Sequence, residues 1–184
     1  MTVRSLHLLG SPVLRERAKP VPEVDDVVRA FVDDLFETMH AAKGVGLAAN
    51  QVGVPLRVAV VDVGGGDEHP DPLVLINPVV TPQGDLVETA EEGCLSIPDI
   101  FGDVERPVAI TLEALDRDGK PYRMDVEGYK ARAVQHEVDH LDGVLFLDHL
   151  SAVKRASLLS KWRRVRKGQT GYVKEVVPEP AGEL

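Results

Sequence analysis

The sequence predicts an α+β fold, with mixed or antiparallel strands packed around a central helix and a further helix towards the C-terminal end. Three observations lead to it. Apolar residues recur at helical spacing in two separated stretches, β-branched runs and an Asp-Gly turn lie between them, and the order lacks the strand–helix–strand alternation of a parallel sheet. With 184 residues, 43% of them apolar, the chain is long enough for one domain with a substantial core and too short for two ordinary ones. We place that domain at residues 1–167 and a flexible tail at 168–184.

Each element has its own signal. Residues 11–22 carry Pro12, Pro20 and Pro22, spacing that forbids a regular helix and predicts an extended arm on the surface. Val27, Val28, Phe31, Leu35, Met39 and Ala42 then recur at intervals of one, three and four, which predicts an amphipathic helix over 24–42 stopped by Gly44. The β-branched run at 57–63, ending in Gly64-Gly65-Gly66-Asp67, and a second run at 73–80 predict strands. Residues 108–115 and 122–126 flank Asp118-Gly119, whose glycine supplies the positive φ of a hairpin turn. Ala131, Val134, Val138 and Leu141 predict the central helix, which carries a His-Glu-x-x-His motif and ends near Gly143. A last helix is expected over 151–167, and Pro178, Pro180 and Gly182 fit a loose end.

Composition excludes several classes. The 21 basic and 30 acidic residues give a formal charge of −9, which disfavours a general nucleic-acid binder. No stretch approaches the ~20 apolar residues that span a bilayer, and residues 1–12 lack the pattern of a cleaved leader, so no membrane contact is expected and a cytoplasmic protein fits best. The lone Cys94 forms no intramolecular disulfide and is a buried apolar residue, a reactive thiol or a metal ligand.

The chemistry concentrates in His136-Glu137-Val138-Asp139-His140. On a helix, residues four apart share a face, so His136 and His140 can offer two imidazoles to one divalent ion with Glu137 close by. The bland alternative is a pair of helical histidines hydrogen-bonded in a core. A catalytic site of this kind uses three protein ligands and keeps a position open for water. Among candidates for the third, His149 lies beside the last helix and Glu175, Glu179 and Glu183 fall in the tail; Cys94, between Gly93 and a segment limited by Pro98, is better placed. A thiolate with two imidazoles suits Fe²⁺, Zn²⁺, Co²⁺ or Ni²⁺.

These segments carry a family resemblance. Gly44-Val45-Gly46-Leu47-Ala48-Ala49-Asn50-Gln51, Glu92-Gly93-Cys94-Leu95-Ser96 and Gln135-His136-Glu137-Val138-Asp139-His140 look like the three ordered signatures of the peptide deformylases, and the similarity spans about residues 3–165. The resemblance implies removal of the formyl group from the N-terminal methionine of nascent chains, with formate released. It implies one divalent ion on Cys94, His136 and His140, with Fe²⁺ the expected physiological metal and Zn²⁺, Ni²⁺ or Co²⁺ as substitutes. Glu137 would act as general base and then acid, and the side-chain amide of Gln51 with the backbone N–H of Leu95 would hold the oxyanion. The methionine pocket would be lined by Val45, Tyr129, Arg132 and Ala133, with Glu92 and Gly93 near its entrance and Gly46 in the segment along which an extended peptide adds. Arg132 would lay its stem along the pocket and send its guanidinium to water, or stand on the helix surface. Some relatives carry an arginine shortly after the cysteine motif; here Phe101 stands in that stretch.

A metalloprotease and a metal-binding module without turnover are the rival readings. Cys94 speaks against the first, and Gln51 with Glu137 against the second. Asp139 and Asp142 either orient the imidazoles or face solvent, and stay outside the expected site. Lys154, Arg155, Lys161, Arg163, Arg164, Arg166 and Lys167 form a basic stretch with no acidic residue among them, a solvated helix face or a contact for the ribosome.

Overall fold

The computed structural model describes residues 2–64 and 70–178. Among these the chain runs β1 (Leu6–His7), α1 (Asp26–Ala41), β2 (Gly46–Ala48), β3 (Val58–Asp62), β4 (Pro72–Pro82), β5 (Val87–Cys94) and β6 (Ile97–Pro107). It continues through β7 (Ala109–Leu115), β8 (Pro121–Glu127), α2 (Gly128–Leu141), α3 (Ala152–Val165) and β9 (Val173–Lys174). A five-stranded antiparallel sheet has the order β2-β3-β4-β7-β8; β5 and β6 form a separate ribbon, and β1 pairs with β9. The α+β expectation holds. His69 and the Gly65–Asp67 end of the expected first strand, with Glu179 and Glu183, lie outside the described residues.

β3 sits between α1 and α2. Val58 and Val60 join the core beneath α1, with Val32, Leu35 and Met39, while Ala59 and Val61 join the core beneath α2, with Ala131, Val134 and Leu141. Side chains of a strand alternate between faces, so a strand covered on both sides reads as an unbroken apolar run. That is why residues 57–63 stood out in the sequence. The predicted hairpin is also present, β7 and β8 pairing from Ala109↔Glu127 to Leu115↔Pro121 around Gly119 with φ +80°.

Helix ends are set locally. The Asp25 carboxylate accepts from the Val28 N–H at 2.9 Å and caps α1. At the other end the left-handed residue is Lys43 at φ 57°, not Gly44. Gly44 serves a different need: a Cβ there would stand 2.6 Å from Leu95 Cδ1. The N-terminal arm departs from a plain surface strand, because a 3-10 turn at Pro12–Arg15 buries Leu14 and is followed by buried Ala18 and Val21. Its backbone caps α2, with Ala18 N–H donating to the Leu141 carbonyl at 2.8 Å.

The β5–β6 ribbon had no sequence expectation. Its inner residues Ile97, Ile100 and Val104 pack with Leu8, Leu14, Phe146 and Trp162 of α3 in a third core cluster. The remainder of α3 is mostly exposed. Beyond it, the stretch read from sequence as a loose tail carries β9, with Val173 opposite His7 and Lys174 opposite Leu6.

Candidate metal centre and active site

Two elements meet at the site. β5 ends in a register shift between Glu92 and Cys94, after which Leu95-Ser96 makes a two-residue turn and Ile97 pairs back on Cys94. α2 faces this turn with His136, Glu137 and His140. Cys94 Sγ lies 3.3 Å from His140 Nε2, which lies 3.2 Å from His136 Nε2. The three ligand atoms all fall within 4.8 Å of one another. Donors at metal–nitrogen and metal–sulfur distances of about 2.0–2.3 Å from a tetrahedral ion would stand roughly 3.3–3.7 Å apart, so the set fits a divalent cation. Two imidazole nitrogens and a thiol at such separations otherwise compete for protons, and a dication replaces that competition with coordination.

A buried charge network holds the ligands. His136 Nδ1 is 3.0 Å from Glu92 Oε2, which fixes the ring so that Nε2 faces Cys94 and His140. Arg106 grips Glu92 with Nε at 2.5 Å and Nη2 at 2.9 Å and reaches Asp139 at 2.8 Å. Arg132 Nη1 adds a bond to Glu92 at 2.8 Å and one to the Val104 carbonyl at 2.9 Å. Burial opposes the charge on Glu92, yet the hydrogen bonds from His136 and Arg106 outweigh it and hold the carboxyl well below its usual range. His140 is pushed below the ordinary imidazole range as well, in its case by burial and by neighbouring His136, which disfavour its charged form.

Glu137 has no such partners. It is 4% exposed, its Oε2 finds no hydrogen bond among the described residues, and burial pushes its carboxyl up to about 7. A carboxylate kept near neutrality and unpaired in a cleft is suited to taking and returning a proton. Gly46 makes its position possible, since a Cβ there would collide with Glu137 Oε1. Gln51, 1% exposed, is held by its Oε1 accepting from Ala48 N–H at 2.9 Å. Its Nε2 donates to Ser96 Oγ at 3.1 Å and points at Cys94 Sγ at 3.5 Å.

A cleft of about 800 Å³ opens over these groups and reaches Val45, Gly46, Glu92, Gly93, Leu95, Tyr129, Arg132 and Ala133. The sequence-expected residues are thus brought together, but two behave otherwise than expected. Arg132 sends its guanidinium inward to Glu92 rather than to water, and Glu92 spends its carboxylate on His136, Arg106 and Arg132 rather than at the entrance. The physical reason is the same for both, because charges this deep persist only when paired. Asp139 neither touches a ligand nor faces solvent alone; it joins Arg106 and His149, the latter at 2.7 Å. Asp142 pairs with Arg57 at 2.7 Å. Sequence reasoning missed Arg106, and only its partners in space, Glu92 and Asp139, reveal it.

Comparisons with known proteins agree with this geometry. The family model for polypeptide deformylase matches residues 3–156. A peptide deformylase of Brucella suis is 46% identical over 165 residues, covering 90% of this chain and 94% of its own length. One from Chromohalobacter salexigens is 52% identical over 151 residues, covering 82% and 88%. Among solved structures, a Synechococcus elongatus peptide deformylase in complex with actinonin superposes with a TM-score of 0.81 at 43% identity, covering 85% of each chain. The Legionella pneumophila enzyme gives 0.81 at 39% identity over 92% of this chain and all of that one. With the family model matching residues 3–156 and relatives 46% and 52% identical over most of their length, the chain belongs to the peptide deformylase family.

Proposed function

We propose that this chain removes the formyl group from the N-terminal methionine of nascent polypeptides and releases formate. The observation that carries the reading is the convergence of a thiol, two imidazoles and an unpaired buried carboxyl under one cleft. When bound, a divalent ion at Cys94, His136 and His140 supplies an acidified water and a Lewis acid for the formyl oxygen. Glu137 takes a proton from the attacking water as the new C–O bond forms at the formyl carbon, and then delivers it to the amine nitrogen as the formyl C–N bond breaks. Gln51 Nε2 and the Leu95 N–H donate to the oxygen that gains charge, a preorganised pair worth several kcal/mol in a dry site. Val45, Tyr129 and Ala133 give the methionine side chain apolar surface, and Gly46 leaves the peptide backbone a close approach.

Fe²⁺ is the proposed physiological ion, with Zn²⁺, Ni²⁺ or Co²⁺ able to replace it; the thiolate favours all four. Metal analysis after anaerobic purification tests this, and iron-loaded protein should lose activity in air as Fe²⁺ and thiolate oxidise. A formyl-Met-Ala-Ser peptide should release formate while an unformylated protein substrate stays intact. Glu137→Ala should bind metal and lose turnover by a factor of 10² or more, whereas Cys94→Ala should lose the metal. Full metal and full rate in Cys94→Ala would remove the ligand assignment.

The work is done in the cytoplasm, beside the ribosome. No helix among the described residues is long and apolar enough to cross a membrane. Lys154, Arg155, Lys161, Arg163, Arg164 and Lys167 are exposed along and just beyond α3, a surface suited to ribosomal RNA. Co-sedimentation with ribosomes should weaken when these charges are reversed, and binding that does not change would withdraw the contact.

A further inference from the structure

The cleft is larger than one formyl-methionine residue requires. Its volume of about 800 Å³ lies in the range of roughly 300–1,000 Å³ that encloses a whole drug-sized ligand. The surplus space is available to the chain that follows methionine. Part of its wall is made by Lys174, Glu175, Val176 and Val177. These lie beyond α3 and outside the residues 3–156 that the family model matches, and the chemistry above gives them no task.

Several contacts fix this segment beside the cleft. Leu8 N–H donates to the Tyr172 carbonyl at 2.7 Å, and Leu6 pairs with Lys174. The Tyr172 ring lies over Gly10, which has φ +113° and no side chain to obstruct it. Val176 then packs against the core beneath α1, whose members include Leu6, Met39 and Leu47. The backbone is held while the groups on it stay available: Lys174 and Glu175 are exposed, and Val177 is 77% exposed.

We infer that residues 174–177 form a subsite for the peptide beyond methionine, with Lys174 and Glu175 reading side-chain charge and Val177 offering apolar surface. The inference rests on the deformylase reading of the cleft. Charge at this rim acts on whichever side chain of the extended substrate comes to lie against it, so the enzyme ranks nascent chains by their early sequence as well as by the formyl group.

The test uses the full-length, metal-loaded chain. Its substrates are formyl-methionine amide and formylated tetrapeptides carrying Asp or Lys at the second, third or fourth position. Lys174→Glu should lower the acidic-to-basic ratio of kcat/KM by about 3–5-fold at one of those positions, and Glu175→Lys should raise it. Both residues are exposed, so neither change threatens the fold. Ratios that stay fixed in both variants at all three positions would overturn the subsite. Formate release from formyl-methionine amide by the unsubstituted chain reports on the underlying activity separately, so failure of one reading is distinguishable from failure of the other.

Discussion

Gly46 and Glu137 show how little space separates a working acid–base group from a displaced one. The carboxyl of Glu137 rests against the strand at Gly46, where any side chain would collide with it. Gly46→Ala must therefore move either β2 or the carboxylate, and overpacking of this kind costs about 1–3 kcal/mol. We expect formate release to fall at least tenfold with metal content unchanged, a combination that rate assays and metal analysis of the same sample would detect. The motif His136-Glu137-Val138-Asp139-His140 was legible because four-residue spacing is a local property of a helix. Arg106 was not, because an arginine inside a polar strand says nothing about the glutamate it meets 14 positions earlier. Arg132 illustrates the same limit: its position in the cleft was readable, but the direction of its guanidinium depends on buried acceptors from β5 and β6.

Among elements, β3 and α2 announce themselves and the β5–β6 ribbon does not. β5 contains Glu88, Thr89, Glu91 and Glu92 with few apolar residues, and β6 includes Pro98 and Gly102, so alternation is weak where only one face is covered. The ribbon still delivers a metal ligand. A smaller element, the 3-10 turn Phe146–His149 after α2, offers a direct pH test. Asp148 accepts from Leu145 N–H at 2.9 Å and from Arg15 at 2.5 Å. Burial works against its charge, but those donors prevail and hold its carboxyl below the ordinary 3.8. A carboxyl depressed on folding contributes stability above its unfolded pKa and loses it as pH falls through the folded one. Asp148→Asn should thus be less stable by about 1 kcal/mol at pH 7. That gap should close below the ordinary value of 3.8, as measured by urea midpoints at both pH values.

At the level of the whole molecule, the α+β class and the order of the long elements followed from periodicity, since α1, α2 and the central strand are built from local patterns. What periodicity does not contain is the meeting of distant segments: the turn at Cys94 laid on α2, the arm capping Leu141, or residues 174–177 brought to the rim of the cleft. The metal centre is one such meeting. Cys94 and His140 stand 46 positions apart in the chain, so an ion bound between them closes a long loop. Loop closure restricts the chain in the manner of a covalent cross-link. Chelation should therefore do more than stop turnover: the Leu95-Ser96 turn should become open to proteolysis and its amides to hydrogen exchange, while β3, covered on both faces, stays protected. Mass spectrometry of chelated and loaded protein would compare the two regions. Seen this way the ion is a clasp as well as a reagent, and a cell short of metal would hold a chain that is both idle and easier to degrade.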